Sequence, residues 1–383
     1  MHPNFEVQLF GAIGDLERIF GGDIGDIAHL ILQTANKHYH DKNVKVISRD
    51  EELISSHKPK LILLSTTVFG NVKYSGLSSK QIFGVTCPYE SSCIWSCNRR
   101  EHFSTADAII FHAYDVQYFH ESVPDRREVK KNTVFVLWSD EPATIIDYKL
   151  FNKYYFNWTI SYKLESEVSV ASYGLYSIVK EKSDEIDQWI YNQFRQRQTS
   201  ALWFVSNCDA NERLKLYHQL KRLFPIEGYG RCVDYYPIHL CTSKTPCETR
   251  YMMEYKYYLS FESNTCSGYV SEKFWKALSF GLIPIVYGPK KEDYIRIAPP
   301  SSFIHVDDFD TVSALSEHLF QVGNNYTLYA SYHQWRSKYS VIIDGVALEQ
   351  IRMCELCKRL VEQKSQTTYY TNMFEYFNDG CEK

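Results

Sequence analysis

From Lys60 onward the chain alternates continuous apolar runs with amphipathic stretches. Runs that are apolar throughout fit strands covered on both faces, and their spacing by helical patterns points to a parallel sheet. LILLSTTVFG (61–70), the apolar run inside ADAIIFHAYD (106–115) and NTVFVLWSDEP (132–142) read as the first series. A second series follows, with ALWFVSNC (201–208) as a strand, NERLKLYHQLKRLF (211–224) as an amphipathic helix and YKYYLSFES (255–263) as a strand. SEKFWKALSFG (271–281) then reads as a helix and LIPIVYGP (282–289) as a strand. Between the series, residues 178–200 carry alternating charges with few core positions, as a solvated linking helix would. The predicted architecture is α/β, with two Rossmann-like domains facing one cleft and ligands at the carboxyl ends of the strands. The predicted boundaries are a poorly readable segment at 1–54, domains at 55–185 and 186–345, and a tail at 346–383. The glycines between Gly11 and Gly25 do not fit a dinucleotide loop, since no strand leads into them and the G-x-G-x-x-G spacing is missing.

A length of 383 residues suits two domains, and 44% hydrophobic with 15% aromatic residues excludes a disordered or fibrous chain. Lys plus Arg at 42 against Asp plus Glu at 46 leaves a formal charge of -4, which argues against a nucleic-acid binder. Any anionic ligand must then be held by a few local cations. The 30 tyrosines are expected mostly to pack, with the hydroxyl at an edge. Eleven cysteines, with the sequons at Asn157 and Asn325 as candidate glycosylation sites, tilt the chain toward a disulfide-forming secretory compartment. The apolar runs are strand-length, and no basic start followed by an apolar run opens the chain.

The densest chemical signal runs from Tyr255 to Pro289. A strand delivers Glu262 to its carboxyl end, and a polar loop leads to a helix whose first turn holds Ser271, Glu272 and Lys273. Ser271 is a candidate N-cap, and free helix amides beside a lysine make a seat for a diphosphate. The two acids would accept hydrogen bonds from sugar hydroxyls. A capped helix with solvated charges accounts for the same residues.

The segment YKYYLSFESNTCSGYVSEKFWKAL resembles the donor motif of the α1,3-fucosyltransferases. GLIPIVYGP (281–289), SFIHVDDF (302–309), ADAIIFHAYD (106–115), FNWTISYKLESE (156–167), LWFVSNC (202–208), YGRC (229–232) and YHQWR (332–336) follow the same family's order from about residue 58 onward. The resemblance implies a GT-B fold, with an acceptor-binding N-terminal domain carrying the catalytic base and a C-terminal domain binding GDP-fucose. It places Lys273 and Arg213 on the diphosphate, Glu272 on the ribose and Glu262 and Tyr269 near the sugar, with Ser206, Asn207 and Asn264 completing the donor site. The implied reaction is inverting transfer of L-fucose to the 3-hydroxyl of a GlcNAc on a glycan, either an N-glycan core or a lactosamine antenna. No cofactor is expected beyond GDP-fucose as co-substrate, and a divalent metal would at most stimulate. Asp307 and Asp308 belong to the SFIHVDDF segment and Asp310 follows it, and these acids are not read as metal ligands.

Two departures from the family pattern matter. Glu262-Ser263-Asn264 stands where relatives have Glu-Asn-Ser, so an amide contact to the donor is either lost or supplied one position later. Ser139-Asp140-Glu141-Pro142 stands where many have Glu-Ser-Pro, leaving Asp140 and Glu141 both open as the base, with Glu141 preferred. Relatives also link a C-terminal C-x-x-C to the N-terminal domain, which implies pairs Cys87–Cys354 and Cys97–Cys357 and a tail packed back on that domain. The remaining cysteine cluster is similar to invertebrate and core-type members. Family membership further implies the Golgi lumen, with membrane contact only through an anchor that is not visible here. A non-catalytic glycan- or nucleotide-binding relative and a protein O-fucosyltransferase are the competing readings.

Overall fold

The computed structural model describes residues 58–169, 172–178, 185–233, 241, 245–343, 345–362 and 369–381. The N-terminal segment at 1–54 lies outside them. Strands β1 (Lys60–Leu64), β2 (Cys93–Ser96), β3 (Ala108–His112), β4 (Val134–Ser139) and β5 (Trp158–Ser161) form a parallel sheet in the order β2-β1-β3-β4-β5. All residues of β3, β4 and β5 are buried, as their unbroken apolar character requires of a sheet covered on both faces. The chain then leaves this sheet in β6 (Gly174–Ile178). A second parallel sheet comprises β7 (Gln198–Phe204), β8 (Ile226–Tyr229), β9 (Tyr255–Phe261), β10 (Ile283–Tyr287) and β11 (Ile304–His305), in the order β11-β10-β9-β7-β8. Finally β12 (Tyr339–Ile343) returns to pair antiparallel with β6.

Numbered within its own sheet, each lobe has the strand order 2-1-3-4-5, a doubly wound arrangement. In such sheets a crevice opens beyond the carboxyl ends where the winding reverses, which is between β1 and β3 in one lobe and between β7 and β9 in the other. This is the two-domain α/β architecture expected from the alternation of runs. Gly174, though expected in the first domain, sits against the second: a Cβ there would lie 2.2 Å from the Trp275 ring.

The tail completes the first lobe. Helix Val346–Glu362 contributes Met353, Cys354, Leu356, Cys357 and Leu360 to the same core as Ile62, Leu64, Ile110 and Val136. Helix Met373–Asn378 covers the other face, where Phe377 stacks on Tyr148 with ring centroids 3.8 Å apart. Fully burying an aromatic or aliphatic side chain of this kind is worth about 1.5–3 kcal/mol, so the tail is part of the core.

Disulfides join Cys87 to Cys354 and Cys93 to Cys357, and Cys97 is a free thiol, which corrects the expected Cys97–Cys357 pair. Cys354 and Cys357 lie one helical turn apart, so their partners must be close together as well. Cys93 opens β2 and faces the helix, its Cα 6.0 Å from that of Cys357. Cys97 follows the end of β2, roughly 13 Å farther along an extended chain, beyond the reach of a disulfide. Cys208–Cys232 and Cys241–Cys247 lie within the second lobe, and Cys266–Cys381 fastens the tail to it.

Asn157 is also corrected as a glycosylation site. It is 8% exposed, and its side-chain carbonyl accepts hydrogen bonds from the Phe135 amide and the Arg126 guanidinium. A glycan there would require opening the sheet. Asn325 is exposed and caps the helix Tyr326–Ser331 through the Leu328 amide. Among the described residues, no helix is long and apolar enough to cross a membrane.

Candidate active site

The second lobe builds its part of the site at the β7/β9 crevice. β9 ends at Phe261, and the next residue, Glu262, is 2% exposed. Its carboxylate accepts from the Ser271 amide at 2.7 Å, the Ser271 hydroxyl at 2.8 Å and Lys273 Nζ at 3.2 Å. The backbone after β10 closes against it: Gly288 has φ +136°, and a Cβ there would lie 2.8 Å from Glu262 Cβ. Helix Glu272–Ser279 starts on Ser271, whose hydroxyl accepts from the Lys273 amide. Lys273 Nζ also reaches Ser271 Oγ at 2.8 Å and Glu272 Oε1 at 3.5 Å. Burial disfavours the Lys273 charge, but Glu262 and Glu272 outweigh it and hold the ammonium above its ordinary range. Burial likewise works against the Glu272 carboxylate, but Lys273, the Glu272 backbone amide, Lys276 and the Ser271 hydroxyl together outweigh it and keep it below the usual range. A charged lysine thus stands at a helix N-terminus, where an anion is favoured.

Arg213, from the helix Asn211–Lys221 after β7, lies beneath this cluster with 3% exposure. Its Nη1 donates to the Phe261 carbonyl at 3.0 Å and its Nη2 to the Asn207 carbonyl at 2.7 Å. Nε is buried without a partner. The side chain expected on the diphosphate is therefore directed at the two main-chain segments that form the crevice. Ser206 and Asn207 are exposed on its rim, where the Ser206 carbonyl accepts from Arg231 at 2.9 Å and Asn207 Oδ1 from the Asp209 amide at 3.0 Å.

Two further expected residues bridge the lobes. Asn264 donates to Ser263 Oγ at 2.9 Å and accepts from the Thr144 hydroxyl of the first lobe. Tyr269 packs edge-on against Tyr162, 5.2 Å between centroids, and against Tyr173 at 6.1 Å.

The geometry separates the two adjacent acids after β4. The Asp140 carboxylate accepts from Trp138 Nε1 at 2.9 Å, Ser172 Oγ at 2.6 Å and Arg352 Nη1 at 2.9 Å. The ion pair with Arg352 is buried, the two side chains being 5% and 13% exposed. By contrast, the Glu141 carboxylate has no hydrogen-bond or ion-pair partner among the described residues, while its carbonyl is held by the Tyr148 hydroxyl at 2.6 Å. Burial first, then the charges of Asp140 and Glu272, push the Glu141 carboxyl up to about 7, and Lys273 only partly offsets them. Those influences put Glu141 within electrostatic range of the second lobe's charged cluster. A half-buried carboxyl titrating near neutrality beside a cationic anion seat is suited to taking a proton from a neutral hydroxyl.

Trp138, Ser172 and Arg352 were absent from the expected site, yet they decide which acid is free. Arg352 is 212 positions from Asp140, and nothing in its local pattern marks it apart from its place beside Cys354. Among the described residues no group of three or more His, Cys, Asp or Glu is placed to hold a metal ion.

Two family models match the chain, "Fucosyltransferase, N-terminal" over residues 57–174 and "Glycosyltransferase family 10 (fucosyltransferase) C-term" over 194–376. The chain is 31% identical over 321 residues to alpha-(1,3)-fucosyltransferase fut-6 of Caenorhabditis elegans, a match covering 81% of this chain and 78% of that protein. It is 31% identical over 341 residues to glycoprotein 3-alpha-L-fucosyltransferase A of Drosophila melanogaster, covering 85% of this chain and 62% of that one. A crystal structure of an alpha1,3-fucosyltransferase with GDP-fucose aligns with a TM-score of 0.48 at 17% identity, over 90% of this chain and 99% of that one.

Proposed function

The chain belongs to glycosyltransferase family 10, the fucosyltransferases, and on that premise we propose that it transfers L-fucose from GDP-fucose to the 3-hydroxyl of a GlcNAc on a glycan, with inversion. The observation that carries this reading is the contrast between the two acids: Asp140 is tied by Trp138, Ser172 and Arg352, and Glu141 is left free with its carboxyl raised to about 7.

In this reaction Glu141 accepts the proton of the acceptor 3-hydroxyl as that oxygen forms its bond to the anomeric carbon. The bond from that carbon to the β-phosphate oxygen breaks on the opposite face, and GDP leaves with the electron pair. Lys273, at the start of its helix, neutralises the growing phosphate charge, so that a positive group aimed at the leaving group stabilises the transition state. Arg213 adds positive field from below and holds the Asn207 and Phe261 carbonyls in place. Glu262 orients Lys273, Glu272 accepts from ribose hydroxyls, and Tyr269 and Asn264 close the sugar end. Ser206 and Asn207 form the nucleotide rim. The five disulfides among the described residues suit an oxidising lumen, and the Golgi is the proposed compartment.

The test is Lys273→Ala. Loss of one charge-assisted contact should lower kcat/KM for fucose transfer at least about tenfold. Wild-type turnover in that variant would remove Lys273 from the mechanism.

A further inference from the structure

The first lobe carries a second constellation at its own crevice, between β1 and β3. After β1 the chain makes a tight turn in which Val68 and Asn71 exchange backbone hydrogen bonds at 3.2 and 3.0 Å. The central residues, Phe69 and Gly70, have φ of 53° and 69°. Glycine takes that conformation freely, whereas phenylalanine does so at a cost of roughly 1–2 kcal/mol. A fully buried carboxylate holds the turn: Asp115 accepts from the Phe69 amide at 2.8 Å, the Gly70 amide at 2.7 Å, the Thr67 hydroxyl and the His112 ring. Burial works against its charge, but these hydrogen bonds outweigh it and hold the carboxyl at about 2, so the clamp is ionised at all ordinary pH.

The clamp keeps a large apolar ring in the open. Phe69 is 49% exposed, its ring 4.6 Å from that of His112 and 5.0 Å from that of Tyr114. Tyr114 lies 4.5 Å from Tyr118, which is also exposed. His112 meets Trp138 at 5.5 Å, and Trp138 donates to Asp140, the neighbour of Glu141. Tyr118 and Gln117 both donate to the Ile145 carbonyl, fastening the aromatic segment to the loop that follows Glu141. Strained backbone that presents an exposed aromatic ring at a sheet's winding reversal is the kind of outlier that marks a binding surface.

We propose that Phe69, backed by Tyr114 and Tyr118, is the platform on which a neutral pyranose of the acceptor glycan lays its apolar C–H face, beside the carboxylate that takes its proton. The proposal rests on the fucosyltransferase reading and names the acceptor subsite within it. Several observations select this occupant. The platform belongs to the lobe that carries Glu141, and the cationic seat for a diphosphate is in the other lobe. The acids that hold its turn, Asp115 on the Phe69 and Gly70 amides and Glu121 on the Thr67 amide, put negative charge beside it, which repels an anion and favours a neutral ligand. A flat aromatic face with a few polar groups at its margin is also the composition of a sugar-sized site.

The experiment is steady-state kinetics of the full chain with GDP-fucose and a GlcNAc-terminated N-glycan, for wild type, Phe69→Ala and Phe69→Tyr. Phe69→Ala should raise the acceptor KM about tenfold or more, with the GDP-fucose KM within about twofold of wild type. Phe69→Tyr, which keeps the flat face, should restore the acceptor KM. If Phe69→Ala does not fold, Phe69→Leu is apolar without a flat face and should show the same acceptor defect. An unchanged acceptor KM, or an equal rise in both KM values, would overturn the platform while leaving the transferase reading intact. A wild type that transfers no fucose would overturn both.

Discussion

Replacing Glu141 by Gln removes the one carboxylate that the site leaves free, and it should affect rate and stability in opposite directions. The carboxyl moves from an ordinary value of 4.5 to about 7, because burial and the charges of Asp140 and Glu272 disfavour its ionised form. At 1.36 kcal/mol per pKa step, that is about 3 kcal/mol as an upper bound, reduced by the partial exposure of the side chain to about 1–3 kcal/mol. A group whose folded pKa is raised contributes stability that is complete below its unfolded pKa and is lost as pH rises through the folded one. Wild type should therefore lose stability between about pH 4.5 and 7 that Glu141→Gln retains. Denaturant melts at pH 8 should find the variant as stable as wild type or more so. Catalysis goes the other way, since Gln cannot accept the proton, and kcat/KM should fall about 10²–10⁴-fold. Wild-type kcat/KM should rise with pH up to about 7 and level off as Glu141 becomes ionised. That inflection should be missing from the residual rate of the variant. Retained activity within a few-fold of wild type, or the same inflection in Glu141→Gln, would refute the assignment of the base.

Arg352→Met leaves a buried Asp140 carboxylate with Trp138 and Ser172 but without its countercharge. The expected loss is about 3 kcal/mol, read as a drop of several degrees in Tm, and an unchanged Tm would show that the pair is not holding the loop. Non-reducing peptide mapping should recover Cys93 joined to Cys357, with Cys97 alone open to alkylation after unfolding without reductant. A Cys97–Cys357 peptide would reverse that connectivity.

The strands β1, β3, β4, β7, β9 and β10 were legible because their runs are long and largely apolar, a pattern that survives without knowledge of the partner strands, whereas β2, β5, β8 and β11, of two to four residues, carried too little pattern to be read. Glu262, Ser271 and Lys273 were equally legible, since strand end, cap and first helical turn fall within 12 consecutive residues. The choice between Asp140 and Glu141 was not, because their sequence environment is shared and the deciding partner, Arg352, arrives on a helix of the tail. The second disulfide failed for a related reason: Cys93 and Cys97 both flank the same strand, and only the position of the tail helix along it selects the nearer one. Asn157 satisfies the sequon tripeptide, but burial beneath Phe135 and Arg126 is a property of the sheet. Phe69 carried no signal at all, since its strained turn is made by a carboxylate 46 positions away.

The central claim is tested most directly by incubating the purified protein with GDP-fucose and a GlcNAc-terminated N-glycan and determining the linkage of the product by NMR. The account predicts one fucose in α-linkage on the 3-hydroxyl of GlcNAc, with one GDP released for each. GDP release without glycan fucosylation, fucose found on a polypeptide hydroxyl, or no turnover by the folded protein would contradict it.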